Sequence, residues 1–261
     1  MNMAKGGAET PLRVAVIGAG NVAGLLAAAF AGVGVLAGVW SQNAVHAEAV
    51  AKPLGVDSGS LCEVSRSCDA YVIAVRDDAI HEVSASLGNL PGIVAHTSGT
   101  VPMDDLVQPR RGVFYPLQTF SRNRDVDMSV VPFFIEGSDP GVTAELTDLA
   151  SKISNNVRQA GSDVRATLHL AAVFACNFAN HLWAIAEDIL KNEAGCTLGV
   201  FGPLLHETLD KALECGAAVS QTGPAARGDV HTIEKHLRRL DGDTSEIYKT
   251  ISQDIMHKNL K

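Results

Sequence analysis

The stretch that most constrains this chain is VAVIGAGNVAG, residues 14–24. Residues 12–17 are a short run rich in β-branched side chains and bounded by Gly18, which predicts a strand buried on both faces. The chain then passes directly into Gly18-Ala19-Gly20-Asn21-Val22-Ala23, an Ala/Leu-rich helix to about residue 31, and a second strand at 35–40. This is a β-α-β unit with a G-x-G-x-x-A turn. Gly18 suits the tight turn, Gly20 leaves backbone room for a pyrophosphate, and Ala23 is small enough for close helix-to-strand contact. Amides at the helix N-terminus then supply an anion site without a cationic side chain.

Strand patterns recur at 70–75, 92–96, 112–115 and 130–136, with helices near 44–54, 78–87 and 103–107 between several of them. Such alternation predicts an α/β fold, a Rossmann-type, mostly parallel sheet covered on both faces. Asp139 and Pro140 suit the cap and first turn of a helix running to about 153. A short VRQAG segment then precedes a change of character. Residues 164–192 hold no proline or glycine and predict one continuous helix of roughly 40 Å. Helices near 201–215, 230–240 and 245–257 follow, with GAAVSQTGPAARGD as a glycine-punctuated loop after the first. The expected organisation is a dinucleotide-binding domain at 1–162 and an all-helical, dehydrogenase-like domain for substrate and dimerisation at 163–261.

Composition excludes several classes. The 261 residues are 46% hydrophobic and 19% charged, an ordinary soluble globular balance. A net charge of -8, from 29 acidic against 21 basic residues, argues against nucleic acid, which would require a concentrated basic face. Five cysteines with no C-x-x-C pair fit reduced thiols better than a disulfide framework or a zinc site. The polar start MNMAKGGAET has no apolar signal region, and the Ala-rich stretch 22–39 is broken by glycines. The expectation is a cytoplasmic protein without targeting segment or membrane partner.

At the end of the second strand, an Asp or Glu would grip the ribose hydroxyls of NAD and repel a 2′-phosphate. This chain reads Trp40-Ser41-Gln42-Asn43. The uncharged hydroxyl of Ser41 favours NADP and leaves NAD admissible, although the Arg that usually strengthens phosphate binding is absent from this position. Val75-Arg76-Asp77-Asp78 follows the strand at 70–75. The cofactor-binding candidates are Gly18, Gly20, Asn21, Val22, Ser41, Val75 and Asp77.

The same sheet edge should carry chemistry. Ser98, beside Gly99 in HTSGT, reads either as a turn cap or as an anchor for a substrate oxygen. His96 is equally a structural histidine or an acid-base group, and Tyr115 and Gln118 of FYPLQTF can line a cleft. In the long helix, His169, Val173, Asn177 and His181 recur every four residues, with Cys176 and Asn180 alongside. These polar groups either hydrogen-bond within a helical core or face a wet cleft. His169 and His181 lie roughly 18 Å apart along the axis, too far to share zinc. Arg227 can receive a carboxylate or phosphate, or pair with Asp229 to hold the turn.

Taken in order, VAVIGAGNVA, HTSGT, FYPLQTF, HLAAVFACNFANHL and TGPAARGD resemble a Rossmann-like NADP oxidoreductase family with a helical C-terminal domain of the DUF2520 type. That family is similar to pyrroline-5-carboxylate reductase, ketopantoate reductase and the β-hydroxyacid dehydrogenases. The resemblance spans nearly the whole chain and implies an interdomain cleft, a homodimer formed through the helical domain, and a small carbonyl/hydroxy or imine/amine substrate, with or without an anionic group. It also exposes a departure: the Lys that β-hydroxyacid dehydrogenases carry four residues before an Asn is Val173 or Cys176 here, depending on which Asn is aligned. Without that lysine, the chemistry falls to Asn177 for polarisation, His181 for proton exchange, Ser98 for oxygen anchoring and Arg227 for binding an anionic group. The competing expectation is a non-catalytic NADP-binding regulatory or scaffold protein.

Overall fold

The computed structural model describes residues 12–121 and 124–259; the N-terminal stretch read above for a targeting signal lies outside them. The chain divides into two compact units, Met1–Ala175 and Cys176–Lys261. Secondary structure turns wholly helical earlier in the chain than that division, at Ser162.

In the first unit the strands are β1 (Val14–Ile17), β2 (Leu36–Ser41), β3 (Asp57–Ser60), β4 (Ala70–Ile73), β5 (Ile93–His96), β6 (Arg111–Pro116), β7 (Phe133–Gly137) and β8 (Val157–Gln159). They form an eight-stranded sheet in the order β3-β2-β1-β4-β5-β6-β7-β8. Every pairing is parallel except β6 with β7. The helices are α1 (Asn21–Gly32), α2 (Ala44–Ala51), α3 (Ile80–Leu87), α4 (Pro140–Ser151) and α5 (Ser162–Ala172).

Strand alternation explains why two cores form. Along β1, Val14 and Val16 enter one apolar cluster with Leu26 and Phe30 of α1, while Ala15 and Ile17 enter the other with Ile80 and Leu87 of α3. All four β1 residues are fully buried, as expected for a central parallel strand covered on both sides. Asp139 caps α4 by accepting the Val142 amide, and Pro140 occupies the first turn.

Three local expectations are corrected. β3 and β8 carry the sequences DSGS and VRQ, whose exposed polar residues give no hydrophobic alternation to read. The helix expected at 103–107 is a single 3-10 turn, Met103–Asp105. The long helix is not uniform in winding: α5 is followed by a π-helical segment, Val173–Phe178, and then by α6 (Ala179–Ala194). A π-turn takes an extra residue, so the four-residue stripe expected to carry Val173, Asn177 and His181 is broken there.

The second unit continues with α7 (Gly202–Cys215), α8 (Val230–Leu237) and α9 (Gly242–Asn259). Asp229 caps α8, its carboxylate accepting the Thr232 amide and hydroxyl. Large apolar side chains here stand in solvent, with Leu204 60% and Leu213 76% exposed. The span Ser162–Ala194 is long and apolar enough to cross a membrane, and none of its most apolar window is buried.

Candidate functional site

Because β1, β2, β4 and β5 are parallel and in register, their C-terminal ends line up: Ile17 pairs with Trp40 and Ile73, and Ile73 pairs with His96. The four loops that leave this edge enclose a cavity of about 700 Å³. Its walls include Gly18, Gly20, Asn21, Val22, Ser41 and Val75.

The two motif glycines serve different purposes. Gly18 has φ +132°, and a Cβ there would lie 2.3 Å from the carbonyl oxygen of Ala74, so the protein itself requires glycine. Its N–H donates to Trp40 O at 2.7 Å, tying the first turn to β2. Gly20 has an ordinary φ of -79° and a Cβ would meet nothing within 4 Å. Among the described residues no neighbour demands glycine at Gly20; the open space beside it is what a ligand would fill. Gly20 is the N-cap of α1, which carries no side-chain cap, so the first amides of the helix are left for an anion. The Asn21 side chain is engaged elsewhere, its Nδ2 donating to Phe120 O at 3.1 Å.

Two cofactor assignments need correction in their contacts. Ser41 does line the cavity, but it is buried and its hydroxyl donates to Asn43 O at 2.6 Å, so its proton is not free for a phosphate. Asp77 is not part of the wall; its carboxylate accepts the Thr100 hydroxyl at 2.6 Å and braces two loops against each other. The wall also holds His46, Arg76 and Thr97, which sequence reasoning did not single out, and Gln118, which it did.

Next to the cavity wall lies a buried polar cluster. Arg165 of α5 has no exposed surface, and its guanidinium donates to Ser98 O at 3.1 Å, Val101 O at 2.6 Å and Glu136 Oε2 at 2.5 Å. Each of the three guanidinium nitrogens thereby donates to an acceptor. The Ser98 hydroxyl oxygen accepts the amides of Thr100 and Val101, which makes it the cap of its own loop. His96 is fully buried; its Nδ1 accepts the Ser98 amide and its Nε2 faces Pro102 O at 3.4 Å. Burial, reinforced by the Arg165 charge, pushes its pKa down to about 4, so it is a neutral structural histidine at physiological pH.

Tyr115 and His169 form a pair with Oη and Nδ1 3.1 Å apart. They close over Gly99, where a Cβ would come within 2.8 Å of His169 Nδ1 and of the Tyr115 ring. Tyr115 is 7% exposed, and burial pushes its phenol up from the ordinary value. Both residues were legible as polar groups, but their pairing across 54 positions was not.

In the second unit, Asn177 lies in the π-segment and His181 in the first turn of α6, both exposed. Arg227 is exposed as well, with its backbone N–H donating to Gly223 O and Pro224 O. The structure thus gathers the cofactor candidates other than Asp77 on one wall, and it gathers Ser98, His96, Tyr115 and His169 around Gly99 and Arg165.

Comparison with known proteins agrees with this geometry. Residues 13–94 match the family described as NADP oxidoreductase coenzyme F420-dependent, and residues 131–255 match the domain of unknown function DUF2520. A Bacteroides fragilis protein assigned to the NADP oxidoreductases is 37% identical over 95% of this chain and 98% of its own, with a TM-score of 0.87. Protein TM1727 of Thermotoga maritima is 21% identical over 95% and 98% of the two chains, with a TM-score of 0.71. A reductive aminase of Aspergillus terreus, solved with NADPH and ethyl-5-oxohexanoate, shares the fold at 12% identity over 95% of each chain and a TM-score of 0.68. No curated protein sequence matches the chain. The family identity therefore rests on the Bacteroides relative and the two domain matches: this chain belongs to the Rossmann-fold NADP oxidoreductase family that carries a helical DUF2520 domain.

Proposed function

We propose that this protein is an NADP-dependent oxidoreductase acting on a small carbonyl/hydroxy or imine/amine substrate. The observation that carries the reading is the open cradle at Gly20, where a glycine unneeded by the fold faces a 700 Å³ cavity beside the uncapped N-terminus of α1. The residues present fit the cofactor: bare helix amides suit a pyrophosphate, and Ser41-Gln42-Asn43 places no carboxylate where a 2′-phosphate would sit. The NADPH held by the Aspergillus reductive aminase, a protein of the same fold, supports the same choice.

Bound there, the reduced nicotinamide supplies a hydride to the substrate carbon. The matching proton for the substrate oxygen or nitrogen comes from the chain. Within the first unit, the Tyr115–His169 pair is suited to that task. With Tyr115 donating to Nδ1, His169 carries its proton on Nε2, and the half-buried ring is held in one orientation. Asn177, His181 and Arg227 remain the second unit's contribution to substrate polarisation, proton exchange and anion binding. A homodimer is part of the proposal, because apolar surface of the extent seen around Leu204, Leu209 and Leu213 is ordinarily covered by a partner, and a second copy is the symmetric way to do so.

The test has two stages. Titration with NADPH should give saturable binding, and a panel of small ketones, keto acids and cyclic imines should then consume bound NADPH in a substrate-dependent manner. Absence of binding refutes the reading. Tight binding without consumption by any member of the panel favours a regulatory NADP-binding protein. Light scattering in detergent-free buffer should report about twice the chain mass; a monomer at tens of micromolar removes the dimer.

A further inference from the structure

The β2 end of the cavity lacks both side chains ordinarily used to choose between dinucleotides, a carboxylate for free ribose hydroxyls and an arginine for a 2′-phosphate. Ser41 does not replace them, since its hydroxyl proton is committed to Asn43 O. The basic side chains on this wall come from elsewhere. His46 rises from the first turn of α2, and Arg76 enters from the connection between β4 and α3, facing the same cavity as Ser41, Gln42 and Asn43. β4 lies next to β1 in the sheet, which is how a residue distant in sequence reaches this wall.

Arg76 is held by Asp78 in a bidentate pair, with Nε donating to Oδ1 at 3.1 Å and a terminal nitrogen donating to Oδ2 at 2.5 Å. Both side chains stand largely in solvent, 85% and 65% exposed. A pair this exposed contributes little and exchanges readily, so a better anion can displace the carboxylate. A phosphate monoester carries more charge than Asp78 and offers three oxygens to the same planar fork.

We propose that Arg76 is the residue that recognises the 2′-phosphate of NADP, with Asp78 holding its guanidinium ready and yielding it when the phosphate arrives. The proposal rests on the reading that the cavity takes NADP, and it goes beyond it by assigning the discrimination to a loop after β4 instead of the end of β2. Arg76→Gln removes the fork, whereas Asp78→Asn removes the competitor and leaves Arg76 in place.

The experiment is calorimetric titration of wild type, Arg76→Gln and Asp78→Asn with NADPH, NADH, and the fragments 2′-AMP and 5′-AMP. Arg76→Gln should weaken NADPH and 2′-AMP by about tenfold or more while leaving NADH within about twofold, as expected for one lost charge-assisted phosphate contact. Asp78→Asn should tighten NADPH and leave NADH unchanged. Thermal unfolding of both variants should match wild type, since the pair is exposed. An equal loss of NADPH and NADH in Arg76→Gln overturns the proposal and assigns Arg76 to the adenosine instead; so does unchanged binding of either variant to all four ligands. A wild type that binds neither dinucleotide overturns the NADP reading itself, and this proposal falls with it.

Discussion

Replacing Arg165 with Met is the sharpest test of how the C-terminal edge of the sheet is held. Arg165 is wholly buried and links α5 to two carbonyls of the loop after β5, Ser98 O and Val101 O, and to Glu136 on β7. Methionine approximates its length but supplies no donor. Breaking a buried ion pair by removing one partner costs about 3–5 kcal/mol, and the Glu136 side chain, 20% exposed, places this pair near the lower end. Stranding the two carbonyls adds about 1 kcal/mol or more each, less what water entering the gap recovers. A net loss of about 4 kcal/mol is a large part of a domain's total stability of roughly 5–15 kcal/mol. For a domain of this size it corresponds to a fall in Tm of roughly 8–16 °C. Calorimetric melting of Arg165→Met, Glu136→Gln and the double variant measures both the cost and the coupling. Glu136→Gln should recover part of the loss when added to Arg165→Met, because it neutralises the stranded carboxylate. Arg165→Lys should fall between, keeping the charge but losing the fork. If Arg165→Met melts within a few degrees of wild type, or if the two substitutions add without coupling, Arg165 does not hold α5 to the loop after β5 and to β7.

Gly18→Ala should destabilise the fold by about 1–3 kcal/mol, because it combines a φ of +132° with a Cβ 2.3 Å from Ala74 O, whereas Gly20→Val should melt within about 1 kcal/mol of wild type and yet lose NADPH binding. Equal stability losses at the two positions would contradict the distinction. His96 sits in the folded protein with its pKa lowered from 6.5 to about 4, so the folded state binds fewer protons than the unfolded chain between those values. Its contribution is fully present above pH 6.5 and is lost progressively as pH falls towards 4, about 3 kcal/mol in all. Chemical denaturation across this window should show a shallower pH dependence in His96→Gln than in wild type; identical slopes would exclude the assignment. With a substrate from the panel in hand, His169→Ala should lower kcat by about a hundredfold with NADPH affinity unchanged, and Tyr115→Phe should shift the pH profile. Unaltered kcat in both would remove the pair from proton transfer.

Much of this protein is legible in its sequence. The glycine turn at Gly18 and Gly20 and the β-branched run before it are local signals, since φ, side-chain volume and strand burial depend on residues next to one another. The same holds for Asp139 and Asp229, which cap their helices as their positions before α4 and α8 imply. Other features needed the tertiary structure. β3 and β8 are polar edge strands with no periodicity, recognisable only because neighbouring strands hydrogen-bond to them. The π-segment in the long helix leaves no mark that a four-residue stripe of polar groups would reveal. His96 had two readings in sequence, and packing chose the structural one by burying the ring against nearby backbone, while Ser98 caps its own loop. Arg165, and the meeting of Tyr115 with His169, join residues 29 to 67 positions apart. Arg76 reaches the cavity wall only because β4 crosses to lie beside β1. Glycine geometry and helix capping are decided by bonds within a few residues, so they can be read along the chain. Which buried donor finds which acceptor is decided by how the sheet orders its strands, and that exists only once the chain has folded.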